Sequence, residues 1–356
     1  MKVIPPLAIT DSMLTSSTVA EPFAPSAYAG GTTYALGAIV SVSADFAAYI
    51  SLAAGNIGHT PNVSPLWWKK IGVTETAYNA GTTYAKGDTC SLAVTHRCYE
   101  SLQAANTGNT PNAAASAAWW LDVGPTNKWA VFDSLRNTQT FQSTSPLTIV
   151  ITPGFRVDSL ALLGLNATSV TLSETSTAGG GTVFNHTESL SSRITTDWYD
   201  YFFKEFEYRP SYIAFDIPPF ADGIITVSVT NSAGAAACGA CILGSAQYIG
   251  AVQYNAESDA VNYSTITRDD FGNVTLIPRR SIPKTTQTLL CSKSLIDIVR
   301  ALRDALNATP AVWSGLDDDA TQDYYESLLI LGIYRRFTIN LAYEDNAMIS
   351  LELEEI

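Results

Sequence analysis

Apolar and polar residues alternate over short stretches in the middle of the chain, and a period of two is that of a strand with one buried face. Leu147 to Ile151, Val157 to Leu163, Val170 to Leu172 and Ile224 to Val229 are such stretches, separated by turn-rich connectors such as Ala178-Gly179-Gly180-Gly181. They predict a β-sandwich or jelly roll over residues 125–245, opened by Asn127-Lys128-Trp129-Ala130-Val131-Phe132-Asp133. Beyond it the period changes. Leu295, Ile298, Val299, Leu302 and Leu306 recur at helical spacing, with Ser294 as N-cap and Pro310 as the stop, predicting a helix to about Asn307. Phe337, Ile339, Leu341 and Tyr343 alternate with Thr338, Asn340 and Ala342. After Asp345-Asn346, Ile349, Leu351 and Leu353 alternate with Ser350, Glu352 and Glu354. This is the pattern of a hairpin with one buried face, and with the helix it makes residues 246–356 an α+β unit.

The N-terminal third is built on self-similarity. Ala27-Tyr-Ala-Gly-Gly-Thr-Thr-Tyr-Ala-Leu-Gly37 recurs as Ala77-Tyr-Asn-Ala-Gly-Thr-Thr-Tyr-Ala-Lys-Gly87, with eight of eleven positions identical. The register continues through Tyr49 and Tyr99, Leu52 and Leu102, Gly58 and Gly108, and Pro61-Asn62 and Pro111-Asn112. After a two-residue insertion, Trp67-Trp68 matches Trp119-Trp120, and Ile71-Gly72 matches Val123-Gly124. One small module therefore occupies residues 27–76 and again 77–124, behind a first segment of residues 1–26. Each copy predicts a Gly/Thr turn, a strand entering at Gly37 or Gly87, a tight turn, a second strand through Tyr49 or Tyr99, a long polar loop and a closing strand at the tryptophan pair. So small a module must build its core from aromatic rings. Adjacent strand residues face opposite sides, so one tryptophan of each pair turns inward and the other meets water.

Composition narrows the function classes. The chain has 356 residues, enough for two to four folding units, and its turn-rich content of 23 Gly and 16 Pro fits a mainly β fold. A net charge of −13 repels phosphates, which argues against nucleic acid as a partner. No run approaches the roughly 20 apolar residues that span a bilayer, so membrane insertion is not expected; a soluble protein made in the cytoplasm is. The five cysteines, an odd number, argue against a disulfide framework. Cys238-Gly-Ala-Cys241 lacks a second pair or a nearby His and is expected to fill a strand instead of holding zinc. Cys90 and Cys98 replace Val40 and Ala48 of the first copy, and hairpin geometry leaves either buried thiols or a bridge between them.

No catalytic motif emerges. His59, His96 and His186 sit apart in polar loops or turns, and there is no phosphate-binding glycine loop and no HExxH. Asp317-Asp318-Asp319, Asp269-Asp270, and Asp197 with Asp200 are formal glycosidase pairs, but they read as surface acids, and the triplet lacks the spacing of a calcium loop. A non-enzyme without metal or cofactor is the expectation.

Gly31-Thr-Thr-Tyr34 with Gly37 and Val40, Tyr49, and Trp68-Lys69-Lys70-Ile71-Gly72, with their counterparts in the second copy, resemble the small chitin- and cellulose-binding modules appended to bacterial chitinases. The resemblance implies that Trp68 and Trp120 pack the core. In that family exposed aromatics after the second strand stack on sugar rings, whereas here Ser51-Leu-Ala-Ala-Gly55 and Ser101-Leu-Gln-Ala-Ala105 stand in their place. Trp67 and Trp119 then either form a replacement platform or pack against a neighbouring copy or subunit. Asn56, Asn62, Asn106 and Asn112 in the adjoining loops either donate to sugar hydroxyls or form turns.

Outside the repeats, Val3-Ile-Pro-Pro6, Ile9-Thr-Asp-Ser-Met-Leu-Thr-Ser-Ser17, Gly124-Pro-Thr-Asn-Lys-Trp-Ala130, Phe271-Gly-Asn-Val-Thr-Leu-Ile-Pro-Arg-Arg280 and Ala311-Val-Trp-Ser-Gly-Leu316 resemble a family of phage tail proteins. The resemblance implies a galactose-binding-type jelly roll in the middle with the sugar-module repeats inserted after the first segment, which would pack on that sandwich. It implies a place in the virion, at a tail tip or baseplate, and assembly contacts through residues 246–356. The implied partners are other tail proteins, a host-surface glycan and further copies of the chain, threefold arrangements being common in tail tips. A purely architectural tail protein and a tail-associated glycan hydrolase are the competing readings.

Overall fold

A computed structural model describes the chain apart from residues 24, 43, 45–46, 193–194, 233, 269, 317–324 and 342, and the fold is mainly β. Asp269 and the Asp317-Asp318-Asp319 triplet lie outside the described residues.

The middle of the chain forms two facing layers. One is a five-stranded antiparallel sheet in the order Thr182–Ser189, Ser169–Thr175, Ile224–Thr230, Leu147–Ile151 and Leu14–Ser17. The other comprises a three-stranded sheet, Ser211–Ala214, Ser159–Leu163 and Ala240–Gly244, beside the pair Thr140–Gln142 and Ala236–Cys238. Alternation decides which side chains point between the layers: Leu147, Ile149 and Ile151 from one strand meet Leu160 and Leu162 from the opposite layer, with Val170, Leu172, Val227 and Val229 filling the same core. Cys238 and Cys241 belong to this core as apolar fillers, and both thiols are free.

Strands Ser159–Leu163 and Ala240–Gly244 are buried at every residue. Their second face, Ala161, Leu163, Ala240 and Ile242, packs on Ile4, Val312, Leu329 and Leu331 of a third layer. A strand covered on both sides needs a continuous apolar run instead of alternation, which is what Leu160-Ala-Leu-Leu163 and Ala240-Cys-Ile-Leu243 supply.

That third layer is an eight-stranded sheet running Gln247–Tyr248, Lys2–Ile4, Ala311–Ser314, Leu329–Asn340, Asn346–Glu355 and Ser281–Ser292, with Ala251–Val252 and Glu257–Asn262 both paired to the last of these. The first segment is divided between two sheets, and its Ile4 also packs on the sandwich strands. Leu14–Ser17 completes the five-stranded sheet, but Lys2–Ile4 pairs with Ala311–Ser314. Gly332 lets two strands of this sheet close up, since a Cβ there would lie 2.0 Å from the Glu354 carbonyl oxygen. The predicted helix is present as Ile296–Ala305 behind a short 3₁₀ turn. The Ser292 hydroxyl caps that turn by accepting the Ser294 N–H, and the helix itself starts without a side-chain cap, from Ser294 or any other residue. Val299 and Leu306 are its buried anchors, while Ile298, one predicted contact, is exposed. The hairpin also differs at its tip: the strand ends at Asn340, and Leu341 and Tyr343 face water.

Candidate functional site

Each repeat is a three-stranded antiparallel sheet, Ile39–Val42, Ala47–Ser51 and Trp68–Val73 in the first copy and Thr89–Leu92, Arg97–Ser101 and Trp120–Pro125 in the second. The core is a cluster of rings. Tyr34 meets Trp68 edge-on at 5.2 Å and stacks with Tyr28 at 5.8 Å; Tyr84, Trp120 and Tyr78 repeat this at 5.1 and 5.9 Å. Burying an indole requires a partner for its N–H, and the carbonyls of His59 and Asn109 accept from Trp68 and Trp120 at 2.7 and 2.8 Å. Trp68 and Trp120 are thus the inward members of their pairs.

Trp67 and Trp119 lie in the turn leading into the closing strand and are half-buried in both copies. Their carbonyls receive the N–H groups of Leu52 and Leu102, which fixes the backbone and leaves part of each ring at the surface. The copies differ at one neighbour. In the first, the His59 imidazole lies flat on the Trp67 indole, with centroids 4.0 Å apart and planes at 11°. In the second the corresponding residue is Asn109, whose amide donates to Asn106 Oδ1 at 2.8 Å. His59 gives no such bond, so the buried Oδ1 of Asn56 has no hydrogen-bond partner.

The four asparagines divide into two kinds. Asn56 and Asn106 are fully buried: their amides donate to the Ser51 and Ser101 hydroxyls at 2.9 and 3.0 Å, and their backbones pair with Tyr34 and Tyr84. They brace the long loop and present nothing to a ligand, which corrects their assignment as candidate sugar contacts. Asn62 and Asn112 are exposed, Asn112 in a left-handed conformation at φ 63°. Sequence reasoning weighed His59 only as a catalytic candidate and passed over the exposed Val63 and Leu66 of the same loop. The available signal was the exchange of His59 for Asn109 between the matched Gly58/Gly108 and Pro61-Asn62/Pro111-Asn112.

The repeats are tied to the body through two carboxylates. Glu21 accepts from His96 Nδ1 at 3.0 Å, Thr126 Oγ1 at 2.8 Å and Trp129 Nε1 at 3.1 Å, while the His96 ring stacks on Trp129 at 4.1 Å. Glu75, between the two copies, accepts the N–H groups of Phe23 and Asn127, and its carboxyl is buried. Burial raises its pKa to about 7 against the opposing pull of those two donors. Cys90 and Cys98 are free and buried. The strand register sets Cys90 opposite Tyr99 and Cys98 opposite Ser91, so the two thiols fall on opposite faces and the bridge is ruled out by the pleat.

The remaining chemical candidates are scattered. His96 is in the junction and His186 pairs with Glu188 at 3.2 Å on an exposed strand. Asp197 caps a short helix by accepting the Asp200 N–H, and Asp200 in turn accepts from Thr196. Among the described residues no three His, Cys, Asp or Glu side chains gather as a metal site, and no helix is long and apolar enough to cross a membrane. No protein-family model and no curated protein sequence matches the chain.

Proposed function

We propose that this chain is a non-catalytic structural protein of a phage tail tip or baseplate, whose two repeats contribute host-surface glycan binding during adsorption. The observation that carries the glycan part is the recurrence, in both copies, of a half-exposed indole beside a fully buried one. A flat ring at the surface lets the C–H face of a saccharide exclude water against it. Trp67 and Trp119 are the platforms, with Asn62 and Asn112 in the adjoining loops. One ring gives a weak contact, but two per chain and several chains per particle raise the effective concentration, so adsorption becomes a multivalent event. The tail-protein assignment is supported by the residues quoted for that resemblance, and its partners are other tail proteins and further copies of the chain within the virion.

The test is binding of the full chain, clustered on beads, to a panel of bacterial surface glycans, with Trp67→Ala, Trp119→Ala and the double variant as controls. Retention that falls with each substitution is expected. Absence of retention by the clustered wild-type chain would leave only the architectural reading, which the burial of Asn56 and Asn106 and the covered face of Trp67 favour. Release of reducing ends from host polysaccharide would overturn the non-catalytic assignment.

A further inference from the structure

Four glutamates are buried among the described residues, and a buried carboxylate ordinarily has a cation beside it. Glu355 holds Arg136 and Arg280, and Glu354 holds Lys284 and Arg335. Glu174 has no such partner and stands against Gly223 on the sandwich sheet. Glu75 also lacks a cation, but its surroundings differ: it lines an open cleft of about 350 Å³.

The cleft lies where four parts of the chain meet. Phe23 comes from the first segment, Ile71 from the closing strand of the first repeat, Val123 and Pro125 from that of the second, and Ala130 and Phe141 from the start of the sandwich. Among the described lining residues Glu75 alone is ionisable. Its carboxyl is fixed by the N–H groups of Phe23 and Asn127, which line the same space. A carboxylate offers about four acceptor sites. Those two N–H groups and the Cys98 thiol take three, so one is left for a further donor. The ionisable groups that face Glu75 are that thiol and Glu21, and Glu21 already takes His96 at 3.0 Å and Lys128 at 3.8 Å. The cations of the junction thus serve Glu21, and Glu75 has none.

We propose that the cleft binds a small primary alkylammonium ion, its charge set against the Glu75 carboxylate and its apolar stem against the walls. A cation entering the cleft supplies the partner that the buried carboxylate lacks, and the stem exchanges water for apolar surface. The volume is at the lower end of the range for small-ligand sites, which suits a stem of a few carbons. The cleft is separate from Trp67 and Trp119, so the inference goes beyond the glycan reading and stands or falls without it.

The test is isothermal titration of the full chain with n-butylammonium chloride, with n-butanol as the uncharged match in size. Saturable binding of the ammonium and none of the alcohol is expected. Burial raises the Glu75 carboxyl to about 7, whereas an alkylammonium stays charged up to about pH 9. Only the ionised fraction of Glu75 then binds, so affinity should tighten about tenfold from pH 6 to pH 8. Glu75→Gln should lose the binding. Val123→Trp, at a position 40% exposed, fills the cleft and leaves the carboxyl in place; it should weaken binding at least about tenfold with unchanged circular dichroism, and it decides the matter if Glu75→Gln does not fold. Absence of saturable binding, equal binding of the alcohol, a flat pH profile, or undiminished binding in either folded variant would each overturn the proposal.

Discussion

Glu174 offers a measurement that isolates one buried charge. It sits on the core-facing side of strand Ser169–Thr175, with Ile225 and Phe184 as cross-strand neighbours, and is 1% exposed. One carboxyl oxygen, Oε2, has no hydrogen-bond partner, and the group fits only because Gly223 has no side chain; a Cβ there would lie 2.2 Å from Oε1. Burial alone raises its pKa from 4.5 to about 7. A tenfold change in an ionisation constant corresponds to about 1.4 kcal/mol, so the ionised side chain costs the fold roughly 3 kcal/mol. Between those two values the folded chain holds a proton that the unfolded chain releases, so stability falls as pH rises through that window and the whole cost persists above it. Glu174→Gln removes the ionisation. Urea denaturation followed by circular dichroism should find the variant near wild type below about pH 5 and more stable by up to about 3 kcal/mol above about pH 8. The Glu75 carboxyl contributes a slope of the same sign, but it is common to both proteins and cancels in the difference. A constant offset at all pH values, or a less stable variant at high pH, would refute the reasoning.

Other expectations follow from single contacts. Gly332→Ala should destabilise the eight-stranded sheet by about 2 kcal/mol, seen as a lowered melting temperature, because the new methyl group meets a backbone carbonyl that cannot turn aside. Asn106→Ala removes the bonds to Ser101 and Asn109 and should cost about 2 kcal/mol by urea titration, whereas Asn62→Ala should change stability by less than about 0.5 kcal/mol. His59→Asn gives Asn56 the partner that Asn109 gives Asn106; it should stabilise the first repeat by about 1 kcal/mol and, with the Trp67 face uncovered, strengthen retention on glycan beads. All five thiols should be silent to a thiol reagent in the native protein, since burial raises every one of them, Cys90 to about 12. After denaturation without reductant five should react, and a count two lower would restore the Cys90 to Cys98 bridge.

The features legible in the sequence are those whose information is local or repeated. The doubled register located the strands of both repeats, but the alternation argument at Trp67-Trp68 and Trp119-Trp120 assumed a strand that begins only at Trp68 and Trp120; Trp67 and Trp119 are half-buried in the turn before it. Alternation also located Leu147–Ile151, Ser169–Thr175 and Ile224–Thr230, whereas Ser159–Leu163 and Ala240–Gly244 are continuous apolar runs covered on both faces. Position in a layer was less legible. Lys2–Ile4 is three residues long and carries no period of its own, so nothing local says that it pairs with Ala311–Ser314. Asn56 and Asn106 were misjudged because a polar side chain in a loop resembles a surface residue until its internal acceptors are known. Ile298 matched the helical period yet faces water, since the sheet covers a narrower arc of the helix than the pattern spans. The aromatic helix Trp198–Phe203 has the composition of a core segment and lies wholly outside one.

Glu75 has a further consequence for how the molecule can change. Its two carboxylate oxygens hold Phe23, where the chain departs toward the repeats, and Asn127, where it returns, while Asn127 is itself fastened to Phe141 at 2.9 Å in both directions. Departure and return are thus neighbours, and the loop between them is closed whatever its length. Glu75 itself belongs to the inserted segment, so the bracket that a module's addition, removal or exchange leaves intact is the one that Glu21 makes with Thr126 and Trp129 from outside the repeats. With that bracket kept, the repeats behave as a cassette that can be replaced while the three layers beneath it stay as they are.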